Sequence, residues 1–433
     1  MANVLYIVCW EGLRRHGLME NQVYRLLMEI RRSSDHQITL LSAAPFWRGR
    51  LLRWLQRRFS FIPGLARRQD TYTDPAELRA QLRAHGADLV FRNLWWSPPS
   101  VYLPWWRTLT FPLAHVWFLH RLIRRHRIDI VHGRSYNPTW LAWLSRRLFK
   151  GRHRIIFDTR GLLPEEGVAT GYLREGGPSY RVWKAIERRL ARDADAVVNV
   201  TDTFTDYLEG ETGRKDMRTI TLSVDLAAFR LLPAGAPAGS REERVLVYLG
   251  SISRNGWHSL EYLARLYTLF RERFEKARLL LITPSGHDVL RQDLRDEGVP
   301  EDELRLTAAR SLDEVAAYLA QAAYGALPYR SIRHECDRRI GYTMMASKLG
   351  EYLAAGLPVL CNRNIGGAKR VIEEHGVGAL VDLEQPGLVD PMAWPDPTLN
   401  PDLAGRCRKA AERFSIESRA RAYADLYGEM SGA

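Results

Sequence analysis

Long apolar runs are absent from this 433-residue chain, and export signals are equally hard to find. No stretch of about twenty apolar residues occurs, which argues against a membrane-spanning helix. The amino terminus has a brief apolar run from Val4 to Trp10 with no basic region before it, so we expect a buried strand there rather than a signal peptide. Attachment to a membrane surface stays open.

Cysteine is also scarce, with four residues in the chain. Cys9, Cys336, Cys361 and Cys407 are scattered without a CxxC pair, and no histidines stand at the spacing of zinc ligands. This pattern argues for a reducing compartment and against a structural metal.

Positive charge is plentiful, since 63 Lys and Arg against 50 Asp and Glu leave a net charge of +13. Such a balance admits phosphates, anionic lipid or nucleic acid as partners, and charge alone does not choose among them. The length predicts two or three domains.

Short apolar runs recur with helical patterns between them, in two successive groups. Continuous apolar strands alternating with helices indicate parallel sheets covered on both faces. The runs of the first group are VLYIV, QITLL, ADLVF, IDIVH, RIIFD and AVVNV, and those of the second are RVLVYLG, ARLLLIT, LRLTA, YGALPY and LPVLC.

The stretch from Leu231 to Glu243, rich in Pro, Gly and Ala, is typical of a linker between the two groups. We therefore predict two Rossmann-like α/β domains, residues 1–228 with 415–433 and residues 229–414, which face each other across a cleft. A terminal helix starting near Ser415 is expected to pack back on the first domain.

The stretch SKLGEYLAAGLPVL, residues 347–360, predicts a short helix that Gly356 and Pro358 end. With Ser347 as N-cap, Lys348 falls in the first turn, where the helix dipole disfavours a cation. A bound diphosphate at this helix start would explain the lysine, with free backbone N–H groups as further donors. The alternative is a surface ion pair between Lys348 and Glu351.

Several segments, in order along the chain, resemble the GT-B glycosyltransferases, in particular glycosyltransferase family 4. The resemblance spans the chain and is carried by DIVHGRSY, TLSVDLAAF at the domain junction, VYLGSIS, YGALPY, SKLGEYLAAGLPVL, and the later GG and GVGALV.

The resemblance implies transfer of a sugar from a nucleotide diphosphate-sugar, held by the second domain, to an acceptor held by the first. It also implies retention at the anomeric carbon, with no metal or cofactor required. Glu351 matches the family's ribose-binding glutamate, and Thr343 stands where a second glutamate is often found, so Thr343 is expected near the donor sugar. The residues expected at the donor are Gly12, Gly250, Ser251, Thr343, Ser347, Lys348, Glu351, Gly366 and Gly367.

The leaving phosphate would itself take the acceptor's proton, so the protein has to hold geometry and neutralise charge on the diphosphate. Lys348 and Arg254 suit that task. Asp158 and Arg160 directly follow the strand RIIFD, and the carboxyl end of a strand is where α/β domains place functional groups. We predict these four residues as catalytic; a salt-bridged loop with solvated glutamates is the alternative for the region after RIIFD.

Candidates on the acceptor side follow other strands or loops of the first domain, and for each an ordinary structural role is the alternative. They are Arg14, His132, Arg134, Glu165 and Glu166.

Two basic segments with interleaved aromatic residues suit an anionic membrane interface. For residues 46–70 we predict membrane docking, whereas residues 101–127 are interpreted as a core helix with membrane contact as the alternative. The leading hypothesis is a peripheral enzyme on the cytoplasmic face of the membrane, acting on a glycan or lipid-linked acceptor in bacterial cell-envelope polysaccharide synthesis.

Two other functions remain open. The same fold could act on a soluble small molecule or catalyse another GT-B reaction such as epimerisation. A basic nucleic-acid-binding protein is the alternative of a different class, although no recognition motif for specific nucleic acid is present.

Overall fold

The computed structural model of the chain describes residues 1–9, 19–45, 75–94, 102–229, 243–253 and 256–432. The chain folds into two compact units, the first comprising Met1–Thr221 with Ile416–Ala433 and the second Leu222–Ser415. The boundaries predicted from the sequence fall after residues 228 and 414.

All eleven apolar runs form strands, because each is flanked by helices that cover both faces of a sheet. The first unit has β1 (Asn3–Cys9), β2 (Gln37–Pro45), β3 (Ala87–Leu94), β4 (Ile130–Arg134), β5 (Arg154–Asp158), β6 (Ala196–Asn199) and β7 (Arg218–Thr219). The second has β8 (Arg244–Leu249), β9 (Ala277–Ile282), β10 (Leu304–Thr307), β11 (Tyr324–Leu327), β12 (Val359–Asn362) and β13 (Gly378–Val381). The sequence contains no apolar run that would have predicted the two-residue strand β7.

The sheet of the first unit is parallel, with the strand order β3-β2-β1-β4-β5-β6-β7. The order reverses between β1 and β4, and ligands of such sheets bind outside the carboxyl ends of the strands at this switch point. Its helices are α1 (Arg25–Ser33), α2 (Pro75–Ala84), α3 (Trp105–Thr110), α4 (Leu113–Arg125), α5 (Tyr136–Leu148), α6 (Leu163–Ala169), α7 (Pro178–Asp193), α8 (Asp202–Thr212) and, from the end of the chain, α16 (Ile416–Gly432).

Helix α16 confirms the prediction that the terminal helix packs on the first domain. Its buried residues Tyr423 and Tyr427 belong to the same core cluster as Ile30 of α1 and Ile130 of β4. The end of the sequence is therefore part of the first unit's core.

The sheet of the second unit repeats the pattern, with the order β10-β9-β8-β11-β12-β13 and a switch point between β8 and β11. The prediction of two Rossmann-like parallel sheets is confirmed. The helices are α9 (Leu260–Arg273), α10 (His287–Asp296), α11 (Leu312–Leu319), α12 (Glu335–Thr343), α13 (Lys348–Ala354), α14 (Gly366–His375) and α15 (Leu403–Ala411).

Helix α13 connects β11 to β12 along the chain. Leu349, Tyr352 and Leu353 are fully buried in the core, which explains the apolar side of the SKLGEYLAAG pattern. Gly356, at φ 84°, ends the helix in the left-handed conformation as predicted. Lys348 at the first residue is thereby held at the carboxyl end of the sheet.

Candidate functional site

The second unit's switch point is formed by a tight turn that follows β8. Gly250 has φ 102°, a conformation that favours glycine, and a Cβ atom placed there would lie 3.3 Å from Lys348 Nζ. Gly250 and Lys348, which sequence reasoning selected separately as donor-site residues, are therefore neighbours in the structure.

The ammonium group of Lys348 is fixed by the side chain of Tyr248, the last but one residue of β8. Lys348 Nζ donates a hydrogen bond to Tyr248 Oη at 2.8 Å and lies 4.3 Å from the centre of its ring. Tyr248 Oη in turn donates to the carbonyl of Ser251 at 2.7 Å. The tyrosine thus ties the lysine to the glycine turn.

Burial lowers the pKa of Lys348 to about 7, although Glu351 opposes the shift. A lysine that titrates near neutrality, at the place where such sheets bind ligands, is a candidate functional group. Its charge would be stabilised by any anion that arrives at the turn.

Glu351 lies one turn further along α13, and burial raises its pKa while Lys348 lowers it. Among the described residues, no ion pair within 4 Å joins Lys348 to Glu351, since the lysine is directed at Tyr248. The alternative of a surface ion pair is therefore wrong, and both side chains are set apart in a partly buried site.

The start of α13 differs from the prediction. Ser347 has helical backbone angles, and its side chain makes no capping hydrogen bond. The N–H groups of Leu349 and Gly350 donate to the carbonyls of Ala346 and Ser347, at 3.1 and 3.0 Å. The expectation of free N–H donors is wrong for these two groups, because a tight turn precedes the seven-residue helix and uses them.

Thr343 and Gly366 each have a structural reason for their identity. The Thr343 hydroxyl is buried and lies 3.2 Å from the carbonyls of both Arg339 and Ile340 within α12. A Cβ atom at Gly366 would come within 2.2 Å of the Tyr342 carbonyl oxygen, so only glycine fits there. The buried Gly367 follows in the first turn of α14. Their contact with a donor sugar stays a prediction.

His258 belongs to the same site and was missed by sequence reasoning. Its ring centre lies 5.6 Å from that of Tyr248 and 4.5 Å from that of Tyr329. Burial, and then Lys348, hold its pKa well below the ordinary value, so the ring is neutral. The surrounding sequence NGWHSL has no pattern that would have indicated this histidine.

In the first unit, Asp158 at the end of β5 is completely buried among partners from several elements. Tyr423 donates to Asp158 Oδ2 at 3.2 Å, His132 Nε2 lies 3.4 Å from the same oxygen, and Arg160 Nη1 lies 3.7 Å from Oδ1. Burial alone would raise the pKa of Asp158, but Arg160 and then His132 outweigh it and hold that pKa far below its usual range.

His132 is likewise buried, with Nδ1 2.7 Å from Tyr427 Oη, and burial lowers its pKa although Asp158 opposes the shift. Asp158, predicted as a catalytic residue, and His132, an acceptor-side candidate, have no exposed surface. The pair connects β4 and β5 to α16 and is better explained as structural.

Arg134 and Arg160 differ from that pair because they line a cavity of about 220 Å³. The cavity lies at the switch point, since Val8 and Cys9 at the end of β1 and Arg134 at the end of β4 contribute to its wall. Both guanidinium groups donate to the side-chain oxygen of Gln22, from Arg134 Nη2 at 3.3 Å and from Arg160 Nη2.

Two residues of this cavity wall have an unusual backbone. Ser135 has φ 76° and ψ −176°, and Arg160 has φ 65°, although neither is glycine. Such conformations cost on the order of 1–3 kcal/mol each and cluster at functional sites. Ser135 directly follows β4, and Arg160 stands two residues beyond the end of β5, where the chain turns away from the sheet.

The two adjacent glutamates have different surroundings. Glu165 is fully buried, accepts a hydrogen bond from Tyr180 at 3.0 Å and pairs with Lys184 at 3.0 Å, so the solvated alternative is wrong for it. Glu166 is half-buried and lines the cavity. Burial, and then Glu165, raise the pKa of Glu166 to about 7.

Four predictions lie outside the described residues: Gly12 and Arg14 after the first strand, Arg254 after the glycine turn, and the basic aromatic segment 46–70. Among the residues that the structure does describe, no group of three or more His, Cys, Asp or Glu side chains is placed to hold a metal. Within the same ranges, no helix is both long and apolar enough for a membrane span.

The fold and the two switch-point sites define a chain of the GT-B class, and family models agree. The model described as Glycosyltransferase Family 4 matches residues 97–228, and the model described as Glycosyl transferases group 1 matches residues 243–392. The chain therefore belongs to the glycosyltransferases of the family 4 and group 1 type. By sequence, no curated protein matches it.

Three solved structures share the fold over almost the whole chain. Sucrose-phosphate synthase from Thermosynechococcus elongatus is 16% identical with a TM-score of 0.69, and 100% of each chain is covered. Anabaena HepE in complex with UDP is 14% identical with a TM-score of 0.62, covering 99% of this chain and 100% of its own. The lipopolysaccharide outer core galactosyltransferase WaaB is 12% identical with a TM-score of 0.60, covering 98% and 99%.

Proposed function

We propose that the protein transfers a sugar, with retention, from a nucleotide diphosphate-sugar to a glycan or lipid-linked acceptor. The observation that carries the donor half is the position of Lys348, whose ammonium is fixed 2.8 Å from Tyr248 Oη beside the turn at Gly250. This arrangement gives the second unit's switch point a cation, a glycine that lets a ligand approach the backbone, and Glu351 as an acceptor for sugar hydroxyl groups.

The chemistry requires charge neutralisation rather than an acid–base pair. As the glycosidic bond breaks, negative charge grows on the leaving diphosphate, which can itself take the proton of the attacking hydroxyl. Lys348 in its protonated form would stabilise that charge, and removing one such donor typically costs about 2.7–4 kcal/mol of barrier. No metal or cofactor is required for this step.

Uridine diphosphate is the first nucleotide to test, because the structure of Anabaena HepE was determined with UDP and also with UDP-glucose. We expect UDP-sugars to raise the melting temperature in a panel that also contains GDP-, ADP- and TDP-sugars. Lys348→Met should abolish the shift, whereas Lys369→Met, at a partly exposed lysine of α14, should keep it. Failure of all four nucleotide classes would refute the donor half.

An anionic membrane surface is the proposed location of the acceptor. Helices α3 and α4 expose Trp105, Trp106, Leu109, Leu113 and Trp117, which we call the Trp face. The sequence from 101 to 127 contains five arginines and no acidic residue. Arg107 lies over the ring of Trp106 at 4.9 Å, and Arg121 lies over that of Trp117 at 4.7 Å.

The opposite side of α4 is buried through Leu119, Leu122 and Ile123, so the helix is a core helix as the sequence suggested and still exposes an apolar surface. Tryptophan beside arginine suits the boundary of an anionic bilayer, where the ring enters the interface and the guanidinium meets lipid phosphate. The proposal therefore places the enzyme on the cytoplasmic face of the membrane, in cell-envelope polysaccharide synthesis.

Sedimentation with anionic vesicles at low and high salt tests this location. We expect binding at low salt that weakens at high salt, and Trp106→Ser with Trp117→Ser should lose it. Leu148→Ser, which removes an exposed leucine of α5, is the control and should bind like the parent chain. Absence of binding at low salt would favour a soluble small-molecule acceptor with the same donor chemistry.

A further inference from the structure

The cavity at the first unit's switch point has a wall rich in hydrogen-bond donors. Arg134 and Arg160 supply guanidinium N–H groups, and Ser135, Asn137 and Tyr102 supply hydroxyl and amide groups. We propose that this cavity binds a phosphate group carried by the acceptor. The proposal rests on the proposed function only in naming the ligand as an acceptor.

Two arginines in one cavity wall match the chemistry of a phosphate. The planar guanidinium forms paired hydrogen bonds to phosphate oxygens, and these are stronger than bonds between neutral groups. The side-chain oxygen of Gln22 accepts from both Arg134 and Arg160, so one neutral residue fixes the relative position of the two cations. Because its amide carries no charge, this bridge adds no further carboxylate to that of Asp158, which lies 3.7 Å from Arg160 Nη1.

A buried ion cluster of the same unit differs from the arginine pair in how its cation is balanced. Lys184 is held by two carboxylates, from Glu165 and Glu187, and Tyr136 donates to Glu187 as well. That cluster is buried away from the cavity and balances its cation with acids. The pair of Arg134 and Arg160 has the buried carboxylate of Asp158 beside Arg160, is bridged by an amide, and lines a space that a ligand can enter.

Among the described residues that line the cavity, the acidic one is Glu166, which interacts electrostatically with Tyr102, Tyr136 and Glu165. Its raised pKa means that a large part of the population is uncharged at and below neutral pH. In that form it donates a hydrogen bond to a phosphate oxygen, which an ionised carboxylate cannot do.

Gln22→Glu tests the proposal with little change of shape, because it replaces the neutral bridge by a carboxylate that still accepts from both arginines. The probe is sulfate, which does not titrate near neutral pH, and binding is measured by calorimetry at pH 6.5. We expect the sulfate affinity to fall about tenfold or more, equivalent to about 1.4 kcal/mol. Gln81→Glu, at an exposed glutamine of α2, is the matched control and should bind as the parent chain does.

The variant Lys348→Met distinguishes sulfate binding in this cavity from sulfate binding at the second unit's site. If the proposal is right, a sulfate site persists in Lys348→Met and is lost in Gln22→Glu and in Arg160→Gln. Sulfate binding that disappears in Lys348→Met and survives in Gln22→Glu would place the anion in the second unit and overturn the proposal. Melting curves of each variant identify any that fail to fold, and Gln22→Glu, which keeps both arginines, remains informative if Arg160→Gln does not fold.

The phosphate could belong to a soluble sugar phosphate or to a lipid-linked diphosphate, so two further probes distinguish these sources. Hexose phosphates are titrated in solution, and a polyprenyl phosphate is presented in otherwise neutral vesicles. Binding of either that Gln22→Glu weakens supports the proposal and names the source, while equal binding by parent and variant overturns it. UDP binding is measured on the same samples; its retention without sulfate binding would refute the cavity assignment alone, and its absence would refute the donor site.

Discussion

Both units use the same strand reversal to create a site, but they fill it with different cations. The first unit places Arg134 and Arg160 around a cavity, and arginine stays charged at any ordinary pH. The second places one lysine, whose burial brings its pKa to about 7. Affinity for an anion should therefore fall with rising pH at both sites for opposite reasons: Lys348 loses its charge, whereas Glu166 in the first unit gains one.

The buried residues that surround the two sites also differ. In the first unit a buried network of Asp158, His132 and Tyr423 lies behind the cavity wall, while in the second the buried Tyr248 and His258 surround the lysine. The first network contains the ion pair of Asp158 with Arg160, whereas Tyr248 and His258 are neutral. Substitutions should accordingly cost stability in the first network and ligand binding in the second.

Asp158→Asn should have the largest effect, because it leaves Arg160 without the carboxylate beside it. Removing one partner of a buried ion pair costs about 3–5 kcal/mol, so we expect a large loss of unfolding free energy in denaturant. Since the folded-state pKa of Asp158 is depressed, its contribution is present above the ordinary aspartate value, about 3.9, and is lost as the pH falls below it. A variant as stable as the parent at pH 7 would contradict the structural assignment.

Lys348→Met should lower turnover by about 10²–10³, corresponding to the loss of one donor to the leaving group. The free energy of unfolding should change little. Among the described residues, no carboxylate forms an ion pair with Lys348 within 4 Å, and Met fills similar space. Steady-state kinetics with the donor found in the thermal-shift panel measure this effect. Normal turnover in Lys348→Met, with Lys369→Met as the comparison, would exclude the lysine from the reaction.

The pH dependence of UDP binding should follow Lys348. Below pH 7 the lysine is protonated and attracts the diphosphate; above it, each further pH unit should weaken binding by up to about tenfold. At pH 8, calorimetry in two buffers of different ionisation heat should show proton uptake on binding. Lys348→Arg, which stays charged across this range, should keep UDP binding while removing both the slope and the uptake, and an unchanged slope would assign it to another group.

Glu166→Gln should flatten the smaller pH dependence of sulfate binding at the first unit's cavity. In the parent chain, affinity should fall severalfold, within about tenfold, between pH 6 and 8 as Glu166 ionises in the wall of the cavity. The glutamine stays neutral across this range, so the variant should bind sulfate equally at both values. A slope that persists in Glu166→Gln would mean that another group controls it.

Ser347→Ala should have the smallest effect, because the Ser347 side chain makes no capping bond. We expect a change below about 0.5 kcal/mol, whereas Ser311→Ala removes a cap that accepts from Glu314 N at 3.2 Å and should cost about 1 kcal/mol. Denaturant unfolding of the two variants makes the comparison. Equal losses would mean that Ser347 caps α13 after all.

Sequence reasoning predicted the strands well because buried parallel strands are continuous apolar runs, and RIIFD coincides with β5 residue for residue. It selected Gly250 and Lys348 separately, because they are 98 positions apart in the chain and only the sheet order brings them together. It could not foresee that Asp158 would be sealed beneath α16, because burial depends on a helix more than 250 residues away. Gln22 and His258 were missed because their roles come from neighbours and not from a local pattern.

The central claim is that the second unit's lysine binds the donor and the first unit's arginine pair binds the acceptor's phosphate. Calorimetric titration of UDP into Lys348→Met and Gln22→Glu at pH 6.5 tests it most directly. We predict that UDP binding is lost in Lys348→Met and is unchanged within about twofold in Gln22→Glu. UDP binding that survives in Lys348→Met, or that is lost in Gln22→Glu, would contradict this division.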